Sequence, residues 1–159
     1  MQYDFQVSGI PLRDLAPFAG LDERAMAQQG IKRMIADARP GYPCRLSLED
    51  AEVGEEVLLI TYEHHKSNSP YRASGPVFFR PNARQAKLGK NELPEMLRHR
   101  FLSLRVYNAG GMMVDARTLQ GRDLEAALQE LLSNPESAYI HVHNAGPGCY
   151  NCRIDRIGP

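Results

Sequence analysis

Apolar and polar residues alternate along several short stretches of this chain, which is the pattern of a strand with one buried face. Tyr3, Phe5 and Val7 alternate with polar residues and predict a strand over residues 2–8. The unbroken aliphatic run that begins at Val57 predicts a strand over residues 57–63 that is buried on both faces. Similar short segments predict six further strands, at residues 31–36, 76–79, 101–107, 112–119, 138–144 and 149–157.

Helical periodicity is clearest over residues 122–133, where apolar residues recur at spacings of three and four and form one face. These residues are Leu124, Ala127, Leu128, Leu131 and Leu132. Asp22 as an N-terminal cap and Gly30 as a left-handed end predict a short helix over residues 21–29. Pro94 suits the first turn of another short helix that ends near Arg100.

Short turns connect most of the predicted strands. Two prolines make residues 40–43 a turn, and the glycine pair at 110–111 predicts a hairpin loop. Strands joined in this way favour antiparallel pairing. We therefore predict an α+β fold, with a mainly antiparallel sheet and two or three helices packed on it. No interior linker interrupts the chain, so we expect residues 1–159 to form a single domain.

Composition narrows the class of protein without naming a reaction. Of the 159 residues, 43% are hydrophobic and 24% are charged, which excludes a disordered chain, a coiled coil and a collagen-like fibre. The 19 basic residues balance the 19 acidic ones. Because a general nucleic-acid or acidic-membrane binder carries a basic excess, we predict no nucleic-acid partner.

The sequence also indicates a compartment. A membrane-spanning helix needs about 20 apolar residues, and the longest aliphatic run is only Val57-Leu58-Leu59-Ile60. The N-terminal residues lack the basic and apolar regions of a secretory signal. An odd, small number of cysteines is typical of reduced thiols. We therefore expect a cytoplasmic protein with no membrane partner, and the oligomeric state is left open.

Two histidines share one predicted strand near the C-terminus. Residues two apart on a strand lie on the same face, so His141 and His143 line one face with Tyr139, while Ile140 and Val142 face the core. We predict that this strand pairs with the C-terminal segment. The histidines are open to three interpretations: structural residues held by hydrogen bonds, catalytic or ligand-binding residues, and metal ligands.

The two cysteines that follow would complete a His2Cys2 zinc site with His141 and His143. Cys149 and Cys152 are three residues apart, however, and would point to opposite faces of a strand. If residues 145–148 form the hairpin loop, His141 lies opposite Cys152, whereas a loop of three or five residues reverses the faces of the cysteines. We predict no metal and no other cofactor.

Two more candidate reactive residues lie at the ends of predicted elements. Cys44 follows a rigid Pro-Gly-Tyr-Pro turn and precedes Arg45, whose charge would lower the pKa of the thiol. The alternative is a small buried residue that enters a strand. His64 continues the alternation of the strand over residues 57–63 and can act there as a general base. The alternative is a histidine with a hydrogen-bond partner at the sheet edge.

A proline-containing loop over residues 69–76 is expected to be stiff. It would present Tyr71 and Arg72 in fixed directions, and a fixed guanidinium suits a carboxylate, phosphate or sulfate. We predict that Arg72 points into the same cleft as the two-histidine face. The alternative is an internal salt bridge between Arg72 and either Glu63 or Asp115.

The chain also resembles a known family through four motifs. In order they are Pro40-Gly41-Tyr42-Pro43-Cys44-Arg45, Tyr62-Glu63-His64, Ser69-Pro70-Tyr71-Arg72-Ala73-Ser74-Gly75-Pro76, and His141-Val142-His143-Asn144 with Gly148-Cys149. This set resembles the bacterial domain-of-unknown-function family 1203 over nearly the whole chain. The resemblance implies a bacterial, single-domain protein of about this length, and it implies no activity. Cys149 belongs to the family's pattern, whereas Cys152 is less typical of it.

The leading functional hypothesis is a site for a small anionic molecule, where thiol, imidazole and guanidinium groups meet in one cleft. Whether the site is enzymatic stays open, with a Cys–His nucleophile pair as the first mechanism and a metal-assisted one as the second. The alternative is a non-catalytic binding or interaction protein with structural Cys and His. The candidate catalytic residues are Cys44, His64, His141, His143 and Cys149, and the candidate ligand-binding residues are Tyr71, Arg72 and Asn144.

Overall fold

A computed structural model describes residues 2–158 of the chain. In the described part, eight strands and three helices follow one another, with 3-10 turns at Glu95–Leu97 and Gly121–Asp123. In chain order they are β1 (Asp4–Ser8), α1 (Leu12–Ala19), α2 (Glu23–Gln28), β2 (Lys32–Ile35), β3 (Glu56–His65), β4 (Ala73–Phe79), β5 (Phe101–Tyr107), β6 (Met113–Gln120), α3 (Leu124–Leu132), β7 (Tyr139–Asn144) and β8 (Tyr150–Ile157). No helix within residues 2–158 is long and apolar enough to cross a membrane.

The strands form two antiparallel sheets. The larger has five strands in the order β1-β8-β7-β5-β6, and the smaller has three in the order β2-β3-β4. Every pair of neighbouring strands is antiparallel. The predicted α+β class with mainly antiparallel pairing is confirmed, and the division of the strands between two sheets is a feature that the sequence pattern did not indicate.

The short helices show where local sequence signals succeed and fail. Asp22 caps α2 by accepting a hydrogen bond from the backbone N–H of Ala25 at 2.8 Å, as predicted. Helix α1 was not predicted, because it carries Pro17 in its interior and buries only Leu15 completely. The predicted helix after Pro94 is only a 3-10 turn.

The predicted burial of β3 on both faces holds only at the start of the strand. Val57 and Leu58 are both buried, but Thr61 is exposed. Strand β3 also continues two residues beyond its predicted end, and β4 begins at Ala73, so the last four residues of the predicted loop over residues 69–76 belong to a strand.

Two main hydrophobic clusters result from this arrangement. In the first, α3 packs on one face of the five-stranded sheet, and the cluster includes Leu128 of α3, Leu104 of β5 and Val142 of β7. The second lies between the three-stranded sheet and helices α1 and α2, and it also includes Tyr150 of β8. Because Tyr150 pairs with His143, this second cluster reaches the histidine-bearing side of the five-stranded sheet.

Candidate functional site

The two histidines of β7 lie on the face that the alternation predicted. Ile140 and Val142 are buried in the cluster beneath α3, and β7 pairs with β8 in the antiparallel sense. The predicted placement of His141 and His143 is therefore confirmed. Their exposed fractions are only 1% and 0%, so the two-histidine face is covered by other parts of the chain.

The register between β7 and β8 differs from the predicted one. Arg153 lies opposite His141, while Cys152 lies opposite Val142. A β-bulge in β8 causes the shift, because one extra residue on one strand changes which residues face each other. The predicted pairing of His141 with Cys152 is thus wrong.

Cys152 consequently belongs to the aliphatic core and not to the histidine face. It is completely buried in the cluster beneath α3, and this burial raises the pKa of its thiol to about 12. A His2Cys2 site that includes Cys152 does not form in this fold.

A second bulge, in β3, brings the consecutive residues His64 and His65 against the same strand, β7. Neighbouring residues on a regular strand point to opposite faces, but the pairing of β3 with β4 is irregular between Tyr62 and His65. The ring centroids of His64 and His143 lie 5.1 Å apart, and those of His65 and His141 lie 5.0 Å apart. Both rings of β3 therefore contact the histidine face of β7.

Three of these rings form what we term the imidazole cluster: His64, His141 and His143. Each ring has one nitrogen atom that could bind a ligand, and these three nitrogens lie within 4.8 Å of one another. Tyr150 stacks on His64, with a centroid distance of 5.1 Å and an interplanar angle of 7°. The sequence placed two of these rings on one face, and the tertiary structure adds the third.

Each member of the imidazole cluster keeps a buried ring nitrogen without a hydrogen-bond partner. These atoms are Nδ1 of His64, Nδ1 of His141 and Nε2 of His143. The Nδ1–H of His143 donates to the carbonyl of Gly148 at 2.9 Å, which leaves the lone pair on Nε2. Buried polar atoms are normally paired, so three unpaired nitrogens on neighbouring rings are an unusual feature of this part of the structure.

Burial also keeps these rings uncharged. It lowers the pKa of His64 to about 4, of His141 to about 2 and of His143 to about 4. The charge of Arg105 contributes to the lower pKa of His64 and His143. At neutral pH the cluster therefore offers lone pairs and no positive charge.

By contrast, His65 is fully hydrogen-bonded. Its Nδ1–H donates to the carbonyl of Tyr71 at 2.8 Å, and its Nε2 accepts from the hydroxyl of Tyr139 at 2.6 Å. His65 therefore holds the end of β3 against β7 and has no nitrogen left for a ligand.

A cavity of about 570 Å³ opens beside the imidazole cluster. His64, His141 and Tyr150 contribute to its wall, together with the turn between β1 and α1, the end of β3 and the turn between β5 and β6. Its charged lining residues are Arg13, Asp14, Glu63, Lys66 and Arg153. A cavity of this size accommodates a small molecule.

The wall formed by the β5–β6 turn depends on a glycine. Gly111 has a φ of +80°, and a Cβ atom there would lie 1.8 Å from Oγ of Ser67. Ser69 also donates a hydrogen bond to the carbonyl of Gly111 at 2.9 Å. Only glycine permits this close approach, which joins the turn to the segment that follows β3.

The candidate nucleophile Cys44 lies in the second hydrophobic cluster. It is completely buried, and its sulfur accepts from the backbone N–H groups of Ser47 at 3.5 Å and Arg80 at 3.2 Å. Within residues 2–158, no imidazole nitrogen hydrogen-bonds to a cysteine sulfur. The structure therefore does not bring a Cys–His pair together, and Cys149 is half-buried in the turn before β8.

Arg45, next to Cys44, has a supporting role in the site. Its buried guanidinium donates through Nε to the carbonyl of Tyr150 and through Nη1 to that of Pro43, both at 2.8 Å. Burial lowers the pKa of Arg45 to about 10. These bonds hold the bulged segment of β8 that carries Tyr150.

None of the predicted ligand-binding residues lines the cavity. Arg72 is 62% exposed and pairs with Glu63, Nε to Oε2 at 3.7 Å, and it does not line the cavity. Tyr71 is exposed, with its carbonyl bound by His65. The side chain of Asn144 accepts a hydrogen bond from Asn151 at 2.7 Å within the β7–β8 hairpin.

Sequence reasoning missed several residues of the site, namely His65, Tyr107, Tyr150, Arg105 and Arg153. One signal was available for part of this set, because Ser103, Arg105 and Tyr107 alternate with Leu102, Leu104 and Val106 along β5. The position of Tyr150 depends on the bulge, for which the sequence gives no signal.

Comparisons with known proteins identify the family and nothing more specific. No curated protein and no solved structure shows a significant match to the chain. A family model described as "Protein of unknown function (DUF1203)" matches residues 41–156, which include all three members of the imidazole cluster. Since this match covers most of the chain and agrees with the four motifs in the sequence, the chain belongs to the DUF1203 family.

Proposed function

We propose that this protein binds a small anionic molecule in the cavity beside the imidazole cluster, and that the imidazoles hold the reacting or recognised part of that molecule. The observation that carries the proposal is the set of three buried, unpaired ring nitrogens of the imidazole cluster, two members of which, His64 and His141, line a cavity of about 570 Å³. A ligand that satisfied these nitrogens would remove the free-energy cost of leaving them unpaired.

The five charged lining residues have a net charge of +1, which favours an anion only weakly because Arg153 is already paired with Asp155. Three basic residues, Arg13, Lys66 and Arg153, face two carboxylates, Asp14 and Glu63. Asp14 lies 3.7 Å from Lys66, and Arg153 pairs with Asp155 at 2.8 Å outside the lining set. Arg105 adds a positive charge near the cluster, since it lies opposite His141 in the pairing of β5 with β7.

The neutral rings add a second requirement on the ligand. An unprotonated imidazole nitrogen accepts a hydrogen bond, so the ligand should carry donors as well as negative charge. A hydroxycarboxylate combines both features, with its hydroxyl groups toward the imidazoles and its carboxylate toward Arg153. Such a ligand would contact imidazole and guanidinium groups of the protein, and its binding would need no thiol.

The proposal can be tested by adding tartrate and succinate to protein kept metal-free with a chelator. These dicarboxylates differ by hydroxyl groups, so the imidazole cluster should bind tartrate more tightly. We expect shifts in the backbone amide resonances of Gly9, Ser67 and Gly110 at the cavity wall. No shift at the cavity wall with either anion would contradict the proposal.

Two arginine variants locate the anion. Arg153→Gln should weaken tartrate binding by at least about tenfold, because a hydrogen bond to a charged group contributes about 1.5–3 kcal/mol. Arg72→Gln is the matched control, since Arg72 is exposed and lies outside the cavity lining. Weaker binding in Arg72→Gln and unchanged binding in Arg153→Gln would instead support the loop over residues 69–76 as the anion site.

A non-catalytic binding protein is the second candidate, and one observation favours it. The pKa values near 4 and 2 make the rings of the imidazole cluster weak bases. Proton abstraction by these rings alone would be slow. A reaction in the cavity would therefore need an additional group that activates the bound molecule.

A further inference from the structure

We infer that His64, His141 and His143 together bind one divalent transition-metal ion, with an open coordination position that faces the cavity. The inference deepens the proposed function, and it rests on that function only for the molecule that would occupy the open position. It differs from the expectation drawn from the sequence, which considered a His2Cys2 set and predicted no metal.

The geometry of the cluster is close to that of a three-histidine site. Three nitrogens at about 2.0–2.1 Å from one zinc ion lie about 3.4 Å apart in tetrahedral geometry, and those of the cluster lie within 4.8 Å. Modest rotations of the rings would close this difference. His64 comes from the second sheet and is the least buried of the three, so it has the most freedom to move.

A hydrogen bond next to the cluster also determines which nitrogen of His143 would bind the ion. In metal sites the second nitrogen of a ligating histidine commonly donates to a carbonyl or carboxylate, which sets the tautomer. The bond from Nδ1–H of His143 to the carbonyl of Gly148 has this form and leaves Nε2 unpaired and buried. His65 has both nitrogens occupied and is therefore excluded from the ligand set.

The charges near the site indicate what completes the coordination. The cluster contains no carboxylate, so the bound ion would keep its full double positive charge beside Arg153 and Arg105. An anion in the open position would compensate this charge. The ion would act as a Lewis acid on an oxygen atom of that anion, which is the activation that the neutral rings alone do not supply.

The first test uses the unmodified protein and the metal alone. Chelator-treated protein is titrated with Zn²⁺, and binding is followed by calorimetry and through the imidazole resonances by NMR. We expect one ion per chain, with the resonances of His64, His141 and His143 perturbed and those of His99 much less affected. No heat with millimolar Zn²⁺, or strongest perturbation at His99, would overturn the inference.

Variants identify the ligands independently of that spectrum. His64→Gln should lower the affinity for Zn²⁺ by at least about 100-fold, since loss of an outer-shell partner alone typically costs 10–100-fold. His99→Gln is the matched control, because His99 pairs with Asp50 and lies outside the cluster. Cys149→Ser and Cys152→Ser should retain the affinity. Equal binding by His64→Gln and the parent protein would contradict the assignment.

Two features keep these outcomes interpretable. Thermal unfolding of each variant without metal, monitored by circular dichroism, identifies a variant that fails to fold. In that case the NMR titration of the parent protein decides whether the imidazole cluster binds the ion. Because tartrate binding is measured in chelator and Zn²⁺ binding without any anion, each can fail alone. Loss of metal binding with retained tartrate binding would reject the metal site and leave the proposed function standing.

Discussion

Two buried polar regions of this molecule differ in how their groups are paired. In the first, Asp50 is 5% exposed and its carboxylate accepts hydrogen bonds from both terminal nitrogens of Arg100, while His99 lies 3.3 Å from it. In the imidazole cluster, by contrast, every ring retains an unpaired buried nitrogen. The first region has the properties of a structural ion pair, and the second has those of a ligand site.

This difference in pairing shows which buried polar groups stabilise the fold. A fully paired group recovers the free energy lost on removal from water, whereas an unpaired one does not. Unfavourable local arrangements of this kind persist at functional sites, where the rest of the structure maintains them. Replacing residues in the two regions should therefore change stability by different amounts and in different directions.

The largest expected effect is at the paired region. Asp50→Ala should lower the free energy of unfolding by about 3–5 kcal/mol, because it leaves the guanidinium of Arg100, which is only 13% exposed, without a counter-charge. Urea denaturation at neutral pH measures this change. A loss below about 1 kcal/mol would show that Asp50 and Arg100 are not a structural pair, and the contrast between the regions would fail.

A smaller loss is expected at the histidine that adjoins the cluster. His65→Leu should lower the free energy of unfolding by about 1–3 kcal/mol, since it leaves the carbonyl of Tyr71 and the hydroxyl of Tyr139 without their partner. The measurement is the same urea denaturation. An unchanged or increased stability would mean that His65 is not structural.

The same substitution inside the cluster should act in the opposite direction. His141→Leu should raise the free energy of unfolding by about 1 kcal/mol in chelator, because it replaces a buried ring that has an unpaired nitrogen with an apolar side chain. Comparison with His65→Leu under identical conditions controls for loss of a ring. Equal losses in both variants would remove the distinction between His65 and the cluster.

The smallest effect is expected from pH. Burial raises the pKa of Asp50, but the hydrogen bond and charge of Arg100 outweigh it, so the pKa is lowered below its usual 3.8. The stability that this shift provides is present above pH 3.8 and is lost as pH falls through the lower folded pKa. The opposing causes make the net contribution modest.

Asp50→Asn provides the measurement for this pH dependence. The difference in unfolding free energy between the parent protein and this variant should shrink below about pH 4. A difference that grew on acidification would indicate that the pKa of Asp50 is raised instead.

Local pattern alone was sufficient for much of the fold. The alternation in β7 placed Ile140 and Val142 toward the core and the two histidines on the other face, and the apolar residues of α3 gave that helix. These features depend only on the period of a strand or a helix, which any short segment displays. The short helix α1 lacked such a signal because of Pro17.

The candidate site itself was decided by the tertiary structure. The bulge in β3 turns His64 toward β7, and the bulge in β8 places Tyr150 beside the cluster and Cys152 in the core. A bulge changes register through long-range pairing, and residues 64 and 141 meet only because the two sheets pack together. Whether a buried histidine is paired depends on the carbonyl or hydroxyl that the fold brings to it. The sequence therefore determined which residues face together, and only the tertiary structure determined that His65 is satisfied and that His64, His141 and His143 are not.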